Sequence, residues 1–301
     1  MPILFGCNGK EVKDMKTGMI RSLFISWLKN DKQVFSLVLF IWLYMYVISP
    51  LKTCSEYMQQ PLCFTEAFMS FIGNGFCMPL VALAFLVISI DYPDISGNAT
   101  FVLSRCGRKK WYNNQLFFLI LAVIVYLLFL FIFSIVFTGA YSFVTNGWSN
   151  VIINLNKESI EEYRQLKITY PFAVTDLSIV NHFRPYTALF YNTILAILML
   201  VFHGQLQMCL SVKFNKAVGC VSSIAILGLG LMSWVASDKL KWFFPLANST
   251  IGWHYDELYQ KTLYPVEYSF VYMIALNVIL YIIGVNIVQK KQFYLGGNTY
   301  D

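Results

Sequence analysis

Six stretches of the chain are almost entirely apolar and contain no lysine or arginine. They cover residues 34–51, 72–90, 116–138, 187–210, 217–236 and 266–288. Each is close to the roughly 20 residues that an α-helix needs to cross a bilayer. The runs are continuous and do not alternate with polar residues, which excludes a transmembrane β-barrel. We therefore predict an all-α membrane protein with six transmembrane helices.

The composition agrees with this reading. Hydrophobic residues make up 57% of the 301 residues and charged residues only 13%, whereas soluble domains carry about 25% charged residues. A soluble enzyme, a disordered chain and a secreted disulfide scaffold are excluded. The net charge of +6 is small and dispersed, so nucleic acid is not an expected partner.

The loops predict the orientation of the chain in the membrane. With both termini in the cytoplasm, the inner segments hold 14 of the 22 lysines and arginines, as the positive-inside rule requires. The chain then divides into a cytoplasmic N-terminus (1–33), a six-helix domain (34–288) and a cytoplasmic tail (289–301). Within the domain lie a cytoplasmic loop (91–115) and two external loops (139–186 and 237–265).

Three segments outside the spans are predicted to be ordered. An apolar face that runs from Met19 to Leu28 indicates an amphipathic helix on the inner leaflet, either a simple anchor or the elbow helix of a transporter. In the external loops, residues 159–167 are typical of a polar helix. The aromatic-rich segment around Trp242 and Trp253 favours a re-entrant or interfacial structure over a solvated loop.

Motifs for chemistry are absent from the sequence. It has no phosphate loop, no HExxH, no GxSxG and no metal-ligand spacing of Cys and His, so catalytic residues and a bound metal are not expected. Cys54 and Cys63, in the first external loop, are either a disulfide or two free thiols. His203, Gln205 and Asn277 lie within spans, where they either join helices by hydrogen bonds or line a translocation path.

The cytoplasmic loop 91–115 carries apolar residues that belong to no span. Phe101, Val102 and Leu103 would be exposed there, which predicts a partner surface. Arg108, Lys109, Lys110 and Trp111 follow, and these are typical of residues that contact lipid headgroups.

This layout resembles an ABC-2-type permease, the membrane subunit of an ABC exporter. The resemblance covers most of the chain and rests on the topology, on residues 103–111 and on the segment 243–248. It implies a coupling helix in which Phe101, Val102, Leu103, Ser104 and Arg105 contact a separate ATP-binding subunit, which carries the ATP and Mg²⁺. It also implies a second permease copy or paralogue and alternating access for a hydrophobic or amphipathic cargo, a peptide first. Loop 139–186 is longer than the family pattern.

Two other functions remain open from the sequence. A lipid-modifying enzyme would need an external cluster drawn from His182, Asp176, His254, Asp256 and Glu257, but no regular spacing links these residues. A membrane scaffold or sensor would keep the coupling helix and move no cargo. The expected location is the plasma membrane, in a bacterial cell.

Overall fold

Long helices dominate the computed structural model, which describes residues 23–93, 103, 107–157, 160–236, 239–255 and 262–291. In chain order the helices are α1 (Asp31–Met58), α2 (Glu66–Gly73), α3 (Cys77–Ile88), α4 (Arg108–Thr138), α5 (Asn150–Leu155), α6 (Glu161–Thr169), α7 (Leu177–His182), α8 (Pro185–Lys213), α9 (Lys216–Val235), α10 (Pro245–Ser249) and α11 (Val266–Lys290). Helix α1 begins with a 3-10 turn and contains a π-helical stretch at Tyr44–Ile48. The all-α class is confirmed.

Five of these helices, α1, α4, α8, α9 and α11, are long and apolar enough to span a membrane. The predicted second span, residues 72–90, is instead a broken pair, because α2 and α3 meet at an angle of 75°. Among the described residues the candidate spans therefore number five, or six if the pair crosses as one. Helix α8 is central, since it packs against α2, α3, α4, α9 and α11.

The ends of α1 and α4 meet at one side of the bundle, where two short strands pair. Strand β1 (Leu62–Cys63) follows α1 and runs parallel to β2 (Ser142–Phe143), which follows α4. Residues 142–157 and 160–184, here called the cap, cover this side of the bundle. We call this side the capped end. Helix α6 lies within the cap and confirms the polar helix predicted near residues 159–167.

A buried carboxylate fastens the cap to the bundle. Glu66, the first residue of α2, has no exposed surface. Its Oε2 accepts a hydrogen bond from Cys63 N at 2.9 Å, and its Oε1 accepts one from Ser149 N at 2.7 Å. Ser149 is also the N-cap of α5, where its hydroxyl accepts from Ile152 N. One side chain thus joins α2, β1 and the start of α5.

Residues 239–254 fold back against the bundle between α9 and α11. They form a 3-10 turn at Lys239–Phe243, helix α10 and a second 3-10 turn at Ile251–His254. Every residue from 245 to 254 is buried. The aromatic segment is packed rather than solvated, as the sequence predicts.

Helical residues also precede α1. Residues 23–28 are helical, and Phe24 packs its ring against Phe118 of α4 at 6.3 Å between centroids. Trp27 is buried in the main core, while Ile25 and Leu28 are exposed. The rest of the predicted amphipathic helix lies outside the described residues, and its place at the membrane surface stays a prediction.

Candidate functional site

The break between α2 and α3 is built by an Asn-Gly pair. Asn74 has extended backbone angles, which end α2. Its Oδ1 accepts hydrogen bonds from Phe76 N at 2.9 Å and Cys77 N at 3.4 Å, so the side chain caps the start of α3. Gly75 is required by a close approach, because a Cβ at this position would overlap Cζ2 of Trp253.

Aromatic rings surround the break. Trp234, near the end of α9, stacks on Trp253 with 4.6 Å between ring centroids and 7° between planes. Phe76 meets Trp234 edge-on at 4.9 Å and is 45% exposed. These rings line a cavity of about 310 Å³, here called the break pocket, together with Lys241 and Asp176. Its volume lies at the lower limit of typical small-molecule sites, about 300–1,000 Å³.

The cap is bonded directly to the broken helix. Ser70 Oγ donates to Ala173 O at 3.1 Å, and Asn74 Nδ2 donates to Pro171 O at 3.3 Å. A second cavity of about 540 Å³ lies on the cap side of this loop and shares Pro171 and Asp176 with the break pocket. The two cavities adjoin, and together we call them the groove.

A buried polar network holds residues 239–254 against α11. Asn248 Nδ2 donates to Trp242 O at 2.9 Å, which leaves Oδ1 to accept the Ser269 hydroxyl at 2.7 Å. The same hydroxyl lies 3.0 Å from Nε2 of His254, whose Nδ1 faces the carbonyl oxygen of Tyr264 at 3.0 Å. Asn248, His254 and Ser269 are all fully buried.

We expect His254 to make the stability of the protein depend on pH. Burial lowers its pKa from 6.5 to about 4, with Lys241 acting in the same direction and the Tyr264 carbonyl and Glu267 opposing it. Between these values the unfolded chain binds a proton that the folded chain does not, so stability falls as the pH drops from about 6.5 to 4. The shift corresponds to about 3 kcal/mol.

Thermal unfolding in mild detergent at a series of pH values from 4 to 8 would measure this dependence. His254→Gln should make the curve shallower between pH 4 and 6.5, because unfolding of the variant no longer takes up a proton at this position. An equal fall of stability in the variant and the wild type would contradict the assignment to His254.

The predicted coupling segment is described at one residue. Leu103 is 8% exposed and belongs to the main apolar core of this chain, so its side chain is not free to contact another subunit. Phe101, Val102, Ser104 and Arg105 lie outside the described residues. That part of the segment stays a prediction.

The predicted headgroup residues divide into two groups. Arg108, Lys109 and Lys110 are exposed at the start of α4, and Arg108 Nη1 donates to Gln289 O. Trp111 is fully buried, so the expectation that it contacts headgroups is wrong. Trp111 directly follows Lys110, about 100° further around α4, and its indole packs into the bundle.

The three polar residues predicted to line a translocation path do not share one face. Gln205 Nε2 lies 3.4 Å from Asn277 Oδ1 and joins α8 to α11. His203 is two residues away, which is about 200° around the helix axis, and its carbonyl accepts from Ser223 of α9. The amide pair therefore ties helices together, and His203 packs on the other side of α8.

Cys54 and Cys63 are both buried, free thiols. Cys63 Sγ lies 3.3 Å from Thr65 Oγ1 and not in a disulfide, so of the two alternatives the structure has the unbridged one. No group of three or more His, Cys, Asp or Glu that could hold a metal ion occurs among the described residues.

Several site residues were missed by the sequence reasoning. The Asn74-Gly75 dipeptide is a known breaker signal inside an apolar run and would have located the bend. Trp234 carried no comparable signal, since its role depends on a contact with the distant Trp253.

Comparisons with known proteins assign no family to this architecture. No family model, curated protein or solved structure matches the chain.

Proposed function

We propose that the chain is the transmembrane permease subunit of an ATP-driven exporter. The observation that supports this most directly is the broken pair α2–α3, whose break lines the groove at the capped end. In membrane proteins an interrupted helix at membrane depth is tolerated where it lines a cavity or is buried in protein. Discontinuous helices also commonly mark the substrate sites of transporters.

The break pocket favours an amphipathic cargo. Phe76, Trp234 and Trp253 offer aromatic surface, while Asp176 and Lys241 offer charges in the same cavity. Few convergent polar groups on an apolar lining are typical of sites that orient a mostly hydrophobic ligand. A hydrophobic or amphipathic peptide remains the proposed cargo.

The proposal places the capped end outside a plasma membrane and both termini in the cytoplasm. ATP and Mg²⁺ would be bound by a separate ATP-binding subunit, which would contact the coupling segment that includes Phe101 and Arg105. A second permease copy or paralogue would complete the unit, and alternating access would carry the cargo between the two.

The test is co-purification from the native membrane. A tagged full-length chain should bring down an ATP-binding protein with a phosphate loop. The double variant Phe101→Asp, Arg105→Glu should lose it by at least about tenfold, because an acidic segment would repel the surface that the wild type recognises. The readout is the ratio of ATPase to permease in the eluate, measured by quantitative mass spectrometry.

A matched control is Arg164→Glu, the same charge reversal in α6 of the cap, which should retain the ATPase. Recovery of the chain without any ATPase would contradict the proposal. Equal recovery with the double variant would contradict the coupling segment alone. An ATPase that is retained but never stimulated by amphipathic peptides would favour a scaffold.

A further inference from the structure

The groove combines positive charge with aromatic surface. Arg164 and Lys167 line its cap side, Lys241 lines the break pocket, and Asp176 stands where the two cavities join. Arg164 is paired with Glu161 at 3.3 Å. The described lining of the groove thus includes two ammonium groups outside an ion pair, those of Lys167 and Lys241, and the carboxylate of Asp176.

Neither lysine forms an ion pair with another residue in the part of the chain that the structure describes. Lys167 Nζ reaches the neutral oxygen Asn156 Oδ1 at 3.3 Å. Lys241 Nζ lies 5.6 Å from the centre of the Trp242 ring, and partial burial lowers its pKa. A partly desolvated ammonium group gains from an anion more than an exposed one does.

The break pocket also offers apolar surface for a ligand, in the same cavity as Lys241. Phe76 and Trp234 line this cavity, and their rings pack edge to face. A ligand that places a negative group at Lys241 can lay a hydrophobic chain on these rings without leaving the cavity. A cationic group placed at Lys241 would instead be repelled by its ammonium group.

We propose that the groove binds the anionic end of an amphipathic ligand, the carboxylate of a peptide or the phosphate of a lipid headgroup. The inference deepens the proposed function and rests on it for the idea that the ligand is cargo. The binding itself depends only on the groove.

The test uses the full chain in phosphatidylcholine nanodiscs, without ATP or an ATP-binding subunit. The probes are an N-acetylated leucyl-phenylalanyl-leucine tripeptide with a free carboxylate and the same tripeptide as its amide. Isothermal titration should show the acid bound at least about tenfold more tightly than the amide, with an advantage that shrinks at high salt.

Lys241→Met should remove most of this preference, and Lys167→Met should reduce it. The matched control is Lys157→Met, an exposed cap lysine that bonds Asn154 and lies outside both cavities. It should bind as the wild type does. If Lys241→Met fails to fold, the comparison of acid and amide binding to the wild type still tests whether the groove prefers an anionic group.

Adding phosphatidylglycerol to the nanodisc distinguishes the two sources of the anionic group, a peptide carboxylate and a lipid phosphate. Displacement of the acid by this lipid would assign the groove to headgroups, and unchanged binding would assign it to free carboxylates. Equal binding of acid and amide, or no binding of either, would overturn the proposal. Such a failure would leave the co-purification of an ATPase unaffected, so the two ideas fail separately.

Discussion

Glu66→Ala is expected to destabilise the protein by about 3–5 kcal/mol, the largest loss that we predict. The substitution leaves the amide groups of Cys63 and Ser149 buried without their acceptor. Leaving a buried amide group without an acceptor costs roughly 1–3 kcal/mol. Thermal unfolding in detergent would measure the loss. Limited proteolysis should show the cap cut before the bundle, because the carboxylate joins α5 to β1.

Two further variants provide a scale for this loss of stability. Glu66→Gln keeps one acceptor oxygen and should lose about half as much stability as the alanine variant. Glu161→Ala removes an exposed carboxylate from the same end of the protein, where an ion pair contributes at most about 1 kcal/mol. A Glu66→Ala protein as stable as Glu161→Ala would show that the two amide groups find other partners.

Gly75→Ala is expected to destabilise the protein by about 2 kcal/mol and to disturb the break pocket. The new methyl group would overlap Trp253, and forcing extra volume into a packed site commonly has this effect. Trp253 would then move off Trp234. The near-ultraviolet circular dichroism of the two stacked indoles should therefore weaken along with the melting temperature.

The control is Gly228→Ala. A Cβ at this position in α9 meets no atom within 4 Å. Alanine favours a helix interior over glycine by roughly 0.5–1 kcal/mol, so this variant should be neutral or more stable. Equal behaviour of the two variants would contradict the close approach at Gly75.

The long helices could be predicted from the sequence because lipid imposes a local rule. A continuous apolar run has to satisfy its backbone within itself, so length and composition are sufficient. The rule does not extend to residues 72–90, where Asn74 offers the backbone of α3 a side-chain acceptor and the helix breaks. A window that averages hydropathy cannot register one amide side chain.

The groove could not be predicted because its walls come from segments far apart in the chain. Trp253 reaches Gly75 across nearly 180 residues, and Pro171 accepts from Asn74 across 97. The environments of Leu103 and Trp111 could not be predicted from the sequence either. Their sequence context indicates exposure, but both side chains are covered by the fold. Burial of this kind is decided by tertiary packing.

The cap has two parts with different freedom to vary. None of the residues of α6 is buried, so most substitutions there should be tolerated, and a spectroscopic label at Gln165 would report on the cap without entering the core. Residues 171–173 supply carbonyl groups to Asn74, Cys77 and Ser70. Those bonds use the main chain, so the path of the loop, more than its side chains, is what related sequences would have to preserve.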